Sequence, residues 1–296
     1  MTIEEIMLSL RQIRQRIKSV GNTKKMTHAM EMVAAAKLKK LQDLLRQSDR
    51  YIAELRRILE TLVREKPLAH PLLEKRTEIK NTLAFLITSD TGLCGSYNLN
   101  VWEQADRLIK AENLNRALHF VAIGRHGAAY LKRAKQTISK ELPVPRPHEI
   151  DETIRLISQI ATDEFTHHKA DEVIFIYTKV MSLGSLKPAS ASLFPIVSLE
   201  KEMAAIETPT DYLLEPSLEE IIALLLPEFI EAEMNQFVKH SLVAEQASRM
   251  MAMRQATDSA KDMIDSLTLL RNKARQASIT KELLEVVSGS RALQLK

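Results

Sequence analysis

The residues most able to do chemistry lie in a glycine-containing turn at 89–95 (Ser-Asp-Thr-Gly-Leu-Cys-Gly), between an apolar segment and a helical one. Phosphate-binding loops occupy this place in α/β proteins, because backbone N–H groups at the start of a helix bind anions. The spacing is Gly-x-x-Gly, and neither G-x-G-x-x-G nor G-x-x-x-x-G-K-[ST] occurs. A tight strand-to-helix turn is the favoured interpretation. A dinucleotide enzyme that binds a 2′-phosphate through Arg125 is the weaker alternative.

Cys94 and the pair His167-His168 are the other residues whose types suggest chemistry. A thiol at the start of a helix can act as a nucleophile, but no residue near Cys94 suggests a base, which favours a small buried side chain. The two histidines lie outside any His-Glu-x-x-His pattern and are interpreted as surface residues at a helix end. The sequence therefore predicts no catalytic residue, no cofactor site and no metal site.

The charge of the chain is small but unevenly placed. The 296 residues have a formal net charge of +4. Between Glu5 and Glu31 there is no acid and a run of basic residues: Arg11, Arg14, Arg16, Lys18, Lys24 and Lys25. A solvated helix face and a surface for an acidic partner both fit such a run. Aromatic residues are 4% of the chain and none interrupts the run, so no nucleic-acid partner is expected.

Three features bear on where the protein works. The single cysteine excludes an internal disulfide framework and suggests a reducing compartment. The N-terminus contains Glu4 and Glu5 and lacks the apolar core of a signal peptide. The longest apolar run, residues 221–226, is far shorter than the roughly 20 residues that span a bilayer. We expect a soluble chain with no direct membrane span.

The middle of the chain alternates strand and helix patterns. Apolar runs bounded by turn residues, which are typical of buried strands, cover 82–88, 117–123 and 172–180. Helical patterns cover 99–111, 127–134 and 152–168, and the prolines after 142 indicate an extended connector. A last, antiparallel strand is predicted at 189–197, and Pro195 indicates a sheet edge. The alternation predicts an open, Rossmann-like α/β sheet.

The two ends of the chain predict long helices. Residues 1–66 contain no proline and one glycine, Gly21, and residues 228–287 contain neither. Apolar side chains recur every three or four residues, as in a coiled coil. In the first segment these are Ile3, Ile6, Leu10, Ile13, Ile17 and Val20, then more loosely Met26, Met30, Val33, Leu38, Leu41 and Leu45. In the second they are Leu218, Ile222, Leu225, Phe229, Ala244, Ala247, Met251, Ile264, Leu267, Leu270 and Ala274.

The second helix would be about 90 Å long at about 1.5 Å per residue, too long for a compact domain to bury. The two ends are therefore predicted to pair as a long antiparallel coiled coil, which places the residues between them at one end of the pair. The predicted fold class is an α/β insert within an all-α frame. The predicted domains are the N-terminal helix at 1–66, the Rossmann-like domain at 67–212 and the C-terminal helix at 213–296.

Several segments resemble one known family. Residues 22–37 (NTKKMTHAMEMVAAAK) resemble the N-terminal signature of the γ subunit of F-type ATP synthase. Residues 244–258 (AEQASRMMAMRQATD) are similar to that family's second helix, and residues 272–282 (NKARQASITKE) to its C-terminal end. The turn at 89–95 and the segment 211–216 (DYLLEP) also resemble family segments. The resemblance covers essentially the whole chain in the right order.

The resemblance implies a central rotor shaft that couples rotation of the membrane c-ring to conformational changes of the catalytic β subunits. The implied partners are the α3β3 hexamer, the ε subunit and the c-ring, and the family has no active site on this subunit. Positions that match contacts with β are Met30, Arg275, Gln276, Thr280 and Glu282, and Tyr212 matches a position near the c-ring. The lack of a transit peptide suggests the cytoplasmic face of a bacterial plasma membrane.

The chain departs from the family at three positions. Thr91 stands where the family usually has arginine, Gly21 where it has lysine, and Arg271 where tyrosine is common. Two other classes of function stay open: a non-catalytic coiled-coil adaptor or tether, and the dinucleotide enzyme.

Overall fold

The computed structural model describes residues 3–65, 70–73, 76, 78–112, 116–182, 184–196, 215 and 217–294. The helices of this part of the chain are α1 (Ile3–Glu65), α2 (Tyr97–Glu112), α3 (Arg125–Arg133), α4 (Ile150–Thr166) and α5 (Leu218–Gln294). The strands are β1 (Asn81–Ile87), β2 (Ala117–Ile123), β3 (Thr137–Leu142), β4 (Glu172–Ser182) and β5 (Ser185–Phe194). An α/β insert between long N- and C-terminal helices is the predicted fold class, and it is confirmed.

The five strands form one sheet in the order β3-β2-β1-β4-β5. The first four are parallel, and β5 pairs antiparallel with β4 at the edge. Crossover helices place parallel strands side by side, so the centre of the sheet is covered on both faces and its strands are apolar throughout. The predicted edge position of the last strand is correct.

Strand β3 is absent from the sequence prediction. Its residues, Thr137 to Leu142, are mostly exposed and include Lys140 and Glu141. Such a segment has no apolar pattern of its own and becomes a strand because β2 offers it an open edge for backbone pairing. The sequence signal that remains is the proline run after Leu142, which ends the strand.

The two faces of the sheet pack against different helices. Ala84, Leu86, Phe120 and their neighbours form a buried cluster with α2 and α3. On the other face, Phe85 stacks on Phe175 with ring centroids 4.5 Å apart, and Phe237 of α5 lies 5.2 Å from Phe175. The C-terminal helix is therefore part of the core of the α/β body.

The chain divides into two compact units, Met1–Ala34 with Met250–Lys296, and Ala35–Arg249. In the second unit α1 and α5 run antiparallel: Gln236 donates to Asp49, and further along α1 the guanidinium of Arg56 pairs with Glu233. In the first unit the hydroxyls of Thr27 and Thr257 are 2.8 Å apart. The predicted domain boundaries at 66/67 and 212/213 fall outside the described residues.

The buried side of α1 repeats every seven residues. The residues at its two apolar positions are at most 8% exposed: Ile13, Ala34, Leu38, Leu41, Leu45, Ile52, Leu55, Leu59 and Leu62. Lys24, Thr27 and Glu31 continue the same spacing and are partly buried. The prediction that the seam passes through Met26 and Val33 is wrong, since these are 61% and 56% exposed. The register is kept by polar residues that an apolar pattern does not reveal.

On α5 in the first unit, the buried side also differs from the predicted seam. Nine of its buried or partly buried residues alternate spacings of four and three: Met253, Thr257, Ala260, Ile264, Leu267, Arg271, Ala274, Ser278 and Lys281. Met251 and Leu270, which were predicted in this seam, are 40% and 51% exposed. No helix among the described residues has the length and apolar composition that crossing a bilayer requires.

Candidate functional site

The turn at 89–95 is held by side chains of its own domain. Both oxygens of the Asp90 carboxylate accept backbone hydrogen bonds, from Arg125 at 2.9 Å and from Val144 at 3.0 Å. Arg125 is the first residue of α3, so a carboxylate already lies at the helix start where a phosphate would bind. This arrangement supports the interpretation of a tight turn and weakens that of a dinucleotide site.

Close packing at the same strand ends explains two glycines. A Cβ at Gly124, whose φ is 104°, would lie 2.5 Å from the Thr88 carbonyl oxygen, and one at Gly127 would lie 2.7 Å from the Thr88 hydroxyl oxygen. The Gly127 N–H donates to that hydroxyl oxygen at 2.8 Å. These glycines bring α3 against β1, which leaves their role structural.

Cys94 is 3% exposed, and its sulfur is 3.6 Å from the Ser89 hydroxyl and 3.4 Å from the Asn98 amide. Neither neighbour can accept a proton as a general base at neutral pH. His167 lies on the surface after α4, where its Nδ1 is 2.8 Å from the Asp163 carbonyl oxygen. Among the described residues no three His, Cys, Asp or Glu side chains are grouped so that they could bind a metal.

The residues predicted to contact a partner lie in the first unit, apart from Tyr212, which is outside the described residues. Met30 is partly buried on α1 beside the seam. The others are exposed on α5: Arg275, Gln276, Thr280 and Glu282. With Thr27 opposite Thr257, Met30 and Arg275 are separated by about 21 helical residues, roughly 30 Å along the pair. They form two separate surfaces, one on each helix.

The basic residues between 11 and 25 lie in two different environments on α1. Arg11, Arg14, Lys18 and Lys25 are exposed and follow one another at spacings of three, four and seven, so they share one face of α1. Lys24 lies in the seam and is partly buried. The exposed face is a positively charged surface about 20 Å long, which fits an acidic partner.

The last turns of α5 expose an apolar surface that the sequence prediction missed. The antiparallel register places Ile3, the first described residue of α1, opposite about residue 281. Beyond this point, four large apolar side chains that the structure describes are 55–70% exposed: Leu283, Leu284, Val286 and Val287. A contiguous exposed apolar patch on a folded chain marks a surface for a partner. These residues lie three and four apart, so their spacing fits a seam, but the seam predicted from the sequence ended at Ala274.

The family model described as ATP synthase matches residues 9–293. The ATP synthase gamma chain of Chloroherpeton thalassium is 36% identical over 97% of this chain and 99% of its own length. The gamma chains of Chlorobium phaeobacteroides and Fusobacterium nucleatum are 35% and 32% identical, each over 97% of this chain and 99% and 100% of their own lengths.

The chain is also similar to chains of two solved ATP synthase structures. The central stalk and c-ring structure of the Tetrahymena thermophila mitochondrial ATP synthase contains a chain that is 25% identical, with a TM-score of 0.57 over 78% of this chain and 99% of that one. A chain of the Euglena gracilis mitochondrial ATP synthase rotor is 16% identical, with a TM-score of 0.62 over 92% of this chain and 99% of that one. At 16% identity, the similarity to the Euglena gracilis chain shows that the fold is shared.

Proposed function

Because the chain belongs to the ATP synthase gamma chain family, we propose that it is the central rotor shaft of an F-type ATP synthase. It couples ion-driven rotation of the membrane c-ring to sequential conformational changes of the catalytic β subunits, for ATP synthesis or, in reverse, hydrolysis. The observation that carries the proposal is the match of nearly the whole chain to gamma chains, together with the antiparallel pairing of its terminal helices.

The surfaces of the first unit support contacts with an α3β3 hexamer. A rotor shifts the conformation of its neighbours only if each angle binds one state better than the others, so its surface must be asymmetric. Met30 and the basic face lie on α1, whereas Arg275, Gln276, Thr280 and Glu282 lie on α5. The exposed apolar end of α5 fits an apolar partner surface, because burying it would favour binding.

The α/β body is the proposed site for the c-ring and the ε subunit, with Tyr212 near the c-ring. The subunit itself performs no catalysis, since nucleotide chemistry belongs to β. The Asp90 carboxylate at the start of α3 supports this, because a dinucleotide phosphate would have to displace it. The protein acts at the cytoplasmic face of a bacterial plasma membrane as a peripheral subunit. Calorimetric titration with NADP that shows binding would instead favour the dinucleotide enzyme.

The decisive experiment is reconstitution with purified α and β subunits, assayed for ATP hydrolysis. The rotor predicts a stable complex and stimulation of hydrolysis when the chain is added. Stable free monomers or homodimers that leave hydrolysis unchanged would favour a coiled-coil adaptor.

The Met30 contact can be tested in the same complex after addition of the membrane sector. Met30→Lys adds a charge at the proposed β contact and should lower ion transport per ATP hydrolysed. Met263→Lys is the matched control, because Met263 is 53% exposed on α5 and belongs neither to the basic face nor to the predicted β contacts. Unchanged coupling in Met30→Lys would contradict this contact while leaving the rotor assignment intact.

A further inference from the structure

A row of polar side chains on α5 is buried against the α/β body. Ser241, Glu245, Ser248 and Arg249 share one face of the helix and are at most 8% exposed. Burying polar and charged groups is unfavourable unless each finds a partner. The groups that pair with these four side chains therefore show which part of the chain this face of α5 binds.

The guanidinium of Arg249 joins the helix to the turn at 89–95. One nitrogen pairs with the Glu245 carboxylate at 2.7 Å. Another donates to the carbonyl and hydroxyl oxygens of Thr91, at 3.1 and 3.0 Å. The Gly92 carbonyl oxygen is 3.4 Å from two of the guanidinium nitrogens. A planar group with several donors fixes direction as well as distance, which a lysine ammonium cannot do.

Two hydroxyl groups extend the connection on either side. Ser248 donates to the carbonyl oxygen of Cys94 at 2.6 Å. The Ser241 hydroxyl is 2.9 Å from the Tyr97 hydroxyl, at the start of α2, and accepts from the Thr178 N–H of β4 at 3.4 Å. Side chains of α5 thus bind three carbonyl groups of the turn, the first residue of α2 and the backbone of β4.

Stability alone does not account for this arrangement. Burial raises the pKa of Glu245, and Arg249 only partly opposes that shift. Apolar residues of similar volume often stabilise a protein as well as a buried ion pair does, whereas an ion pair fixes one geometry. The pair therefore favours one exact placement of the turn on the helix.

We propose that Arg249 is a positioning residue that fixes the turn at 89–95 to α5, so that the α/β body and the C-terminal helix rotate as one rigid body. We call Arg249, Glu245 and the Thr91 and Gly92 carbonyl groups the Arg249 junction. The proposal deepens and rests on the rotor function. Torque would then pass within the chain through Glu245 and Arg249, which are at most 8% exposed.

The single cysteine provides a probe of the junction in the unmodified chain. Cys94 belongs to the turn and is buried, so its thiol reacts with a neutral reagent only when the turn opens. Arg249→Lys keeps a positive charge for Glu245 but loses the planar set of donors. We expect it to raise the rate of Cys94 labelling at least tenfold with little change in melting temperature.

Two further variants make this result specific. Glu245→Gln combined with Arg249→Met removes both charges, so that no buried charge is left unpaired, and it should also raise the labelling rate. Arg107→Met alters an exposed arginine on α2 and should leave that rate unchanged. A labelling rate in Arg249→Lys equal to that of the unmodified chain would overturn the proposal.

The second test uses the complex reconstituted with α, β and the membrane sector in vesicles. Arg249→Lys should retain stimulation of ATP hydrolysis but reduce ATP-driven ion uptake per ATP, measured with H⁺ and with Na⁺, at least twofold. Uptake per ATP equal to that of the unmodified chain would refute the transfer of torque through the junction. Failure of the unmodified chain to stimulate hydrolysis would instead refute the rotor function, and Cys94 labelling would still report on the junction itself.

Discussion

Replacing Gly21 with alanine should stabilise α1. Gly21 lies inside the uninterrupted helix, and a Cβ added there meets no atom within 4 Å, so the added methyl group causes no clash. Alanine in a helix interior is favoured over glycine by about 0.5–1 kcal/mol, because glycine loses more backbone freedom when it becomes helical. Every 1.4 kcal/mol is a factor of ten, so local opening should become about two- to fivefold rarer. Hydrogen exchange of the amides of residues 15–28, followed by mass spectrometry, measures this directly.

Gly127→Ala is the matched control, since Gly127 is also helical but is packed against β1. Its added Cβ would lie 2.7 Å from the Thr88 hydroxyl oxygen, so the same substitution should destabilise the chain and speed exchange in α3. Exchange in α1 that stays unchanged or becomes faster in Gly21→Ala would refute the reasoning. It would show that the opening of this helix is not limited by the backbone entropy of its glycine.

Three more predictions concern the core, pH and the end of α5. Leu59→Ala removes a side chain that is 0% exposed and should lower the unfolding free energy by about 2–5 kcal/mol in denaturant titration, whereas Ile58→Ala, at 45% exposure, should change it far less. Burial lowers the pKa of His240, so below the ordinary value of about 6.5 the unfolded chain binds more protons than the folded one. The stability contributed by neutral His240 should therefore be present above about pH 6.5 and decrease as the pH falls, which denaturation at pH 7.5 and 5.5 would show. Leu283→Ser with Val287→Ser should weaken binding to α and β at least tenfold without lowering the melting temperature of the free chain; unchanged affinity would exclude this surface as a contact.

Much of the α/β body could be predicted from the sequence because its central strands are buried on both faces. Strand β2 was predicted at its observed bounds, and β1 and β4 within one or two residues. Strand β3 could not be predicted, because Lys140 and Glu141 carry no strand signal and pairing with β2 alone makes the segment extended. Local apolar pattern identifies central strands, whereas edge strands depend on their neighbours.

The buried seams of the long helices were likewise only partly predictable from the sequence. Helical character at both ends was correctly predicted from composition, but Met26, Val33, Met251 and Leu270 were assigned to the buried side and are exposed. Apolar residues spaced three or four apart can be joined into seams on more than one face of a helix, so the spacing alone does not determine which face is buried. Only the position of the partner helix selects the face, and here it selects Lys24 and other polar residues to continue the heptad.

The sequence by itself determined the family, the long terminal helices and the positions of the central strands along the chain, because these depend on residue type and on spacing along one segment. The tertiary structure decided what the turn at 89–95 does. From its residues that turn resembled a phosphate loop; in the fold its carbonyl groups are held by Arg249 and Ser248, more than 150 residues away along the chain. Such contacts depend on where two distant segments meet, and no local pattern carries that information.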